Sequence, residues 1–187
     1  GLLHVTIEDT PTTEMQLRAE FGEEIAMLVI GVTKLDALKF ESRDEAQAEN
    51  WRKMLLATAQ DIRVIVIKLA DRLHNMKTLN FLKRDKQERI AAETMALYAP
   101  LAHRLGMFKL KGQLDDLAFL YLHTEEYDAL LKKVEATLAG REKNLIATRS
   151  SIETVLLGTN IPCRILARTK TMWSIYGKME RQQKPFE

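Results

Sequence analysis

An imidazole and two carboxylates lie close together near the start of the sequence. His4 and Glu8 are four residues apart and would share one face of a helix, and Asp9 follows directly. Such a group can bind a divalent metal, and a neighbouring carboxylate can deprotonate a metal-bound water near neutral pH. Residues at this spacing are more often a solvated surface pair, so the spacing by itself leaves both interpretations open.

Polar residues also interrupt a strongly apolar stretch over residues 68–79. Polar groups inside a core pattern need partners or a chemical role. Asp71 has Lys68 and Arg72 near it in sequence and could form a purely structural ion pair. It could instead converge with His4 on one metal ion, which their long separation in sequence cannot test.

The elements that must position these groups are read from apolar periodicity, which is mostly helical. Three-to-four spacing predicts helices over residues 14–28, ending at Gly31, and over residues 125–157, with a weak point at Gly140. A β-branched run over residues 61–73 would suit a strand, but its length and its lack of Gly and Pro favour a buried helix. Further patterns predict helices over residues 42–59, 86–98 until Pro100 and from about 171, and one strand over residues 161–167. Residues 114–122 are another apolar-rich segment.

The composition is that of a folded protein of the reducing cytoplasm. The 187 residues are 46% apolar and 29% charged, which excludes a mainly disordered chain. The single cysteine, Cys163, cannot form an internal disulfide. Apolar runs fall far short of the roughly 20 residues of a membrane-spanning helix, and a net charge of +2 does not indicate DNA binding. We therefore expect no membrane and no DNA partner, and we expect both chain ends to fall inside domains of a longer protein.

Four segments in order resemble the RelA/SpoT homologue family: residues 1–10, 31–35, 68–79 and 98–106. Members of this family make and degrade guanosine tetraphosphate and pentaphosphate, (p)ppGpp, the alarmones of the stringent response. The resemblance implies a mainly α chain with an HD-superfamily hydrolase domain, a helical connection, and the first strand and helix of a nucleotidyltransferase-like α/β synthetase domain. We expect these three parts to span residues 1–122, 123–160 and 161–187.

The same resemblance implies a hydrolase site. In the family, a manganese ion is held by two histidines and two aspartates, and water removes the 3′-pyrophosphate of (p)ppGpp. Carried over to this sequence, the resemblance implies that His4 and Asp71 are metal ligands and that Glu8 and Asp9 are the catalytic acidic pair. It also implies that Asn75 and Thr78 border the guanosine pocket.

Val5 departs from the family pattern. It stands where the His-Asp doublet places a metal-binding aspartate, and an isopropyl group has no lone pair to offer. The family's other metal histidine would lie before Gly1, so we expect severely weakened hydrolysis. The alternatives are a variant with residual activity, a member specialised for synthesis, a degenerate domain that regulates a neighbouring synthetase, and an HD phosphohydrolase for another nucleotide.

The last segment is basic, with five basic residues and one acidic residue over residues 168–184. Such a run is more often a solvated helix face than a phosphate site. Its likeness to the ATP-binding entry of the family's synthetase nevertheless implies ATP contacts by Arg168, Lys170, Ser174 and Lys178.

No synthesis is expected from this segment alone, because the rest of the family's synthetase site would lie after Glu187. The parent enzyme would use Mg²⁺ with ATP and with GDP or GTP. We expect it in the cytoplasm of a bacterium or in a plastid, and ribosome or other regulatory contacts would belong to regions outside this chain.

Overall fold

The computed structural model describes residues 3–36, 61–157, 165 and 169–186. At helix positions 4, 8, 35, 36, 138–145 and 157 it describes the backbone only. The predicted helix over 42–59 lies outside the described residues, as does the predicted strand over 161–167 apart from position 165.

Helices make up nearly all of the described residues, and no strand occurs among them, which confirms the mainly α prediction. A 3₁₀ turn and a π-helical turn connect some of these helices. The elements are α1 (His4–Asp9), α2 (Glu14–Asp36), α3 (Ile62–Lys77), the 3₁₀ turn (Leu79–Phe81), α4 (Arg84–Glu93), the π turn (Thr94–Tyr98), α5 (Ala99–Arg104), α6 (Phe108–Leu122), α7 (Thr124–Leu157) and α8 (Met172–Gln182).

The chain divides into two compact units, residues 1–114 and 115–187, and the division falls inside α6. The predicted functional domains over 1–122, 123–160 and 161–187 are not tested by this division and stay predictions. Across the described ranges, no helix combines the length and the apolar character that a membrane crossing would require.

In the first unit, α1 packs on α2 and α2 packs on α3. Leu3 and Ile7 cover a small core formed by Leu17, Ala26 and Val29 of α2. Burying these apolar side chains is the main force that holds the short helix α1, which is too short to be stable alone.

The predicted end of α2 at Gly31 is wrong. The helix continues to Asp36, and its break lies at Gly22, whose φ of 81° and ψ of 165° are non-helical. Gly31 is there for packing, because a Cβ at this position would stand 2.8 Å from Cγ2 of Val64 on α3. A glycine inside a helical pattern can mark either a break or a close contact. Here Gly22 is the break and Gly31 is the close contact.

The β-branched run over 61–73 is helical as predicted. Asp61 caps α3, with its carboxylate accepting the backbone N–H of Arg63 at 2.9 Å. Val64, Ile65 and Leu69 are buried in α3. Burial of these side chains outweighs the modest strand preference of β-branched residues.

Two other helical predictions have different outcomes. The long helix α7 runs from Thr124 to Leu157 and passes through Gly140 without ending, as the periodicity predicted. The helical path does not stop before Pro100, however, because a π turn leads into α5 and Pro100 occupies the first turn of that helix. A proline fits there because first-turn N–H groups have no partner within the helix.

Candidate functional site

Asp71, Asn75 and Thr78 form the polar face of α3, at positions i, i+4 and i+7. The side-chain amide of Asn75 donates to Asp71 Oδ2 at 3.1 Å. The ammonium of Lys68, which is buried, lies 3.6 Å from the same oxygen. Both contacts fall on Oδ2, so they orient the carboxylate without engaging Oδ1. The structure therefore brings three predicted site residues together.

Thr78 closes α3 and has a defined hydrogen-bonding state. Its hydroxyl donates to the backbone carbonyls of His74 at 3.2 Å and Asn75 at 3.3 Å. In this arrangement the proton of the hydroxyl points into the helix, so the lone pairs of this exposed oxygen are free to accept a hydrogen bond from a ligand.

A buried cation lies on the adjacent, buried side of α3 and forms the Arg72 anchor with Glu93 and Tyr98. The two terminal nitrogens of Arg72 donate to the two carboxylate oxygens of Glu93 at 3.1 and 3.2 Å. The guanidinium carbon lies 3.9 Å from the centre of the Tyr98 ring. Sequence reasoning named Arg72 only as a neighbour of Asp71 and missed both of these partners.

Electrostatics keep this anchor charged and its phenol neutral. Burial lowers the pKa of Arg72, but Tyr98 and Glu93 outweigh burial and raise it overall. Burial also raises the pKa of Tyr98 above its ordinary value. The anchor therefore presents an arginine cation and a protonated tyrosine at neutral pH.

The π turn holds the two partners of Arg72. Glu93 is the last residue before the turn and Tyr98 is its last residue. The N–H of Ala99 donates to the carbonyl of Thr94, five residues back, which is the π pattern. The only sequence signal of this feature was Pro100, a proline inside a helical pattern, because prolines often accompany altered helical hydrogen bonding.

The remaining predicted hydrolase residues lie on α1. His4 and Glu8 have helical backbones, and their side chains are outside the described residues. Asp9 is exposed at the end of α1, and Val5 is 45% exposed on the same helix. Convergence of His4 with Asp71 therefore stays a prediction.

The donor chemistry of these residues fits a divalent cation. Imidazole and carboxylate groups are the ligands that such ions take, and Asp71 is already oriented. Within the side chains that the structure describes, no three His, Cys, Asp or Glu residues gather as a metal site would need. Those side chains do not include His4 or Glu8.

In the second unit, an aromatic cluster joins the end of α6 and the start of α7 to α8. Phe119 is fully buried, and its ring centre lies 4.8 to 5.8 Å from the other four. The members are Phe119, His123, Tyr127, Trp173 and Tyr176.

Two side chains cap the N-terminus of α8. Asp116 of α6 accepts the backbone N–H of Trp173 at 2.9 Å, and Thr171 accepts that of Ser174 at 3.3 Å. These two N–H groups have no partner within the helix, so each cap supplies one.

Three of the four predicted ATP contacts lie in this region. Lys170 is exposed before α8, and Ser174 and Lys178 are exposed four residues apart on the helix. The hydroxyl of Ser174 accepts that of Thr171 at 2.8 Å. Arg168 lies outside the described residues, so the structure does not bring the four together.

A family model for the HD domain matches residues 1–108, which contain α1, α3 and the Arg72 anchor. The chain belongs to the HD domain family. This match covers more than half of the chain and confirms the predicted HD-type helical fold.

Similarity to curated proteins covers the whole chain. The chain is 49% identical over 186 residues to the bifunctional (p)ppGpp synthase/hydrolase SpoT of Escherichia coli K12, covering 100% of the chain and 26% of that protein. It is 48% identical over 186 residues to the guanosine-3′,5′-bis(diphosphate) 3′-pyrophosphohydrolase of Haemophilus influenzae, covering 100% of the chain and 28% of that protein. A GTP pyrophosphokinase of Streptomyces coelicolor is 48% identical over 179 residues, 96% of the chain and 21% of that protein.

The predicted RelA/SpoT resemblance and the predicted membership of an enzyme family are thereby confirmed. The chain spans about a quarter of the length of these relatives. Their similarity does not favour the alternative of a non-catalytic module. An HD hydrolase domain indicates a divalent metal. The names of the relatives refer to nucleotide substrates of those proteins.

Proposed function

We propose that this chain carries the hydrolase region of a manganese-dependent (p)ppGpp 3′-pyrophosphohydrolase of the bacterial cytoplasm. The observation that carries the proposal is the polar face of α3, where Asn75 orients the half-buried Asp71 in an HD domain. The full-length similarity to proteins named as (p)ppGpp hydrolases supports the choice of substrate.

In this proposal, His4 and Asp71 would hold Mn²⁺, an ion that binds the oxygen atoms of carboxylates and pyrophosphates. When bound, the ion would neutralise phosphate charge and lower the pKa of water. Glu8 and Asp9 would orient the attacking water toward the phosphorus atom bonded to the ribose 3′-oxygen, and one of them would take a proton from that water. The bond between phosphorus and the 3′-oxygen would break, pyrophosphate would leave, and the 3′-oxygen would gain a proton to become a hydroxyl. Asn75 and Thr78 border the guanosine, with Thr78 acting as a hydrogen-bond acceptor.

Val5 is the reason why we expect only weak hydrolysis of (p)ppGpp. It takes the place of an anionic ligand, so the site has less charge for the cation and less control of the water. The native chain should therefore hydrolyse (p)ppGpp weakly, and a carboxylate at this position should restore the reaction.

The end of the chain is proposed to open the synthetase region of the parent enzyme. Arg168, Lys170, Ser174 and Lys178 would contact ATP there, with Mg²⁺ as the parent's ion and GDP or GTP as the acceptor. The exposure of Lys170, Ser174 and Lys178 supports this proposal, because a ligand can reach them.

Pyrophosphate release from guanosine tetraphosphate tests the hydrolase proposal, measured with Mn²⁺ or Mg²⁺ in a parent enzyme that includes the metal histidine expected before Gly1. Val5→Asp should increase Mn²⁺ affinity and turnover by about tenfold or more over the native chain. Val155→Asp is the matched control, because it adds the same charge to another exposed helical valine. It should give no increase.

Two results would count against this account. If Val5→Asp gives no more activity than the native chain, the lost-ligand explanation fails. If Asp71→Asn leaves the activity of the Val5→Asp chain unchanged, Asp71 is not a ligand and the proposed site is wrong.

A further inference from the structure

We propose that Arg72 is a positioning residue that fixes the rotation of α3 and so presents the carboxylate of Asp71. The proposal rests on the proposed function, because it concerns a residue that this function assigns to the metal. It adds a role for the Arg72 anchor, whose contacts are with Glu93 and Tyr98 on the buried side of α3.

The contacts of Arg72 define both its direction and its plane. The guanidinium forms two parallel hydrogen bonds with Glu93, at 3.1 and 3.2 Å. The Tyr98 ring lies against its face, with 3.9 Å between the guanidinium carbon and the ring centre. The side chain of Arg72 has few orientations open to it, because its two terminal nitrogens pair with one carboxylate in a fork and its plane stacks on a ring. A lysine could keep the charge, but it could not keep this plane.

The anchor and the polar face are two sides of one helix. Lys68, Arg72 and Met76 are buried at i, i+4 and i+8. At 3.6 residues per turn, the polar face of Asp71, Asn75 and Thr78 lies roughly 90° around the helix from this buried row. Any rotation of α3 that Arg72 prevents would therefore move Asp71 and Asn75 by a similar angle.

The π turn fixes where the anchor lies. Glu93 precedes the turn and Tyr98 ends it, so one arginine bridges both ends of the turn. One helical turn further along α3, Met76 Sδ lies 3.3 Å from the hydroxyl of Thr94 in the same π turn. Two contacts at successive turns of α3 hold its rotation more firmly than one contact could.

The metal-independent test is the side-chain amide of Asn75, observed by NMR in the native chain and two variants. Arg72→Lys keeps the charge and removes the fork, and Glu93→Gln keeps the size and removes the charge. Both should shift the Asn75 amide signals and weaken the bond to Asp71. Arg84→Lys is the matched control, because Arg84 forms an exposed ion pair with Glu88 at 2.6 Å. It should leave the Asn75 signals in place.

The second readout is Mn²⁺ affinity in the Val5→Asp chain. Arg72→Lys should weaken binding by about tenfold or more, as expected for a group that supports a ligand. Arg84→Lys should not. If Arg72→Lys fails to fold, the isosteric Glu93→Gln variant decides the question.

The outcomes separate this proposal from the proposed function. Shifted Asn75 signals in a chain that binds no Mn²⁺ support the positioning role and contradict the metal site. Unchanged Asn75 signals in folded Arg72→Lys or, where that variant does not fold, in Glu93→Gln overturn the positioning role. They do so even if Mn²⁺ affinity falls, because Arg72 would then act without moving Asp71.

Discussion

The two compact units secure their candidate functional helices by different chemistry. In the first, α3 is held by a buried ion pair, with Arg72 between the carboxylate of Glu93 and the ring of Tyr98. In the second, α8 is held by the aromatic cluster around Phe119 and by the Asp116 cap. The attachment of α3 adds a directional ion pair to the apolar packing of Val64, Ile65 and Leu69, and the attachment of α8 consists mainly of rings.

This difference predicts what each attachment controls. A bidentate ion pair is directional, so it restricts the rotation of α3 and the aim of Asp71. Aromatic packing contributes mostly through buried area and tolerates several ring orientations, so it secures α8 with less angular control. Metal ligands need tightly defined positions, and the directional attachment is found behind the predicted metal ligand.

Removing the central ring should give the largest loss of stability. Phe119 is fully buried in the aromatic cluster, and Phe119→Ala should cost about 4 kcal/mol of unfolding free energy, because both the ring's burial and its packing are lost. Phe81→Ala is the matched control, since Phe81 is 83% exposed. It should change stability by less than about 0.5 kcal/mol. Denaturant unfolding measures both variants, and equal losses would contradict the assigned importance of the cluster.

Breaking the ion pair should cost somewhat less. Arg72→Met leaves Glu93 without its partner, and because the Glu93 side chain is 24% exposed we expect about 3 kcal/mol. Arg84→Met, in an exposed pair with Glu88, should cost less than about 1 kcal/mol. The double variant Arg72→Met/Glu93→Met should be more stable than Arg72→Met, since no buried charge is left alone. Equal stability of the single and double variants would refute the ion-pair explanation.

The fold was largely predictable from sequence where periodicity was long. The 34 residues of α7 show a regular apolar spacing that Gly140 does not interrupt. The end of α2 was mispredicted because the sequence does not show that Gly31 faces Val64. A helix-breaking glycine and a close-packing glycine look the same until the partner helix is known.

The candidate site was predictable only on its own helix. Asp71, Asn75 and Thr78 share a face that the helical period implies, and the family resemblance gave them roles. The Arg72 anchor was missed because Glu93 is 21 residues further along the chain, beyond any local pattern. The same applies to Asp116 and the backbone of Trp173, which are 57 residues apart.

Alkaline pH should weaken the Arg72 anchor by a small amount. Burial holds the pKa of Tyr98 above its ordinary value of 10.0, so the folded protein keeps this proton more tightly than the unfolded chain. The associated stability is complete below the unfolded pKa and is lost as the pH rises from 10.0 through the raised pKa. The folded protein should therefore lose this part of its stability only above pH 10.0. Acidification should not change the contribution of Tyr98 to stability.

Tyr98→Phe should flatten this alkaline decline. The variant keeps the ring beneath Arg72 and loses only the hydroxyl, at a cost of about 1 kcal/mol near neutral pH. Tyr176→Phe is the comparison in the aromatic cluster, where burial also raises the pKa but the side chain is only partly buried. Urea unfolding on either side of pH 10.0 measures both variants. If Tyr176→Phe flattens the alkaline decline more than Tyr98→Phe does, this explanation is contradicted. The phenol that loses its proton would then belong to the aromatic cluster and not to the Arg72 anchor.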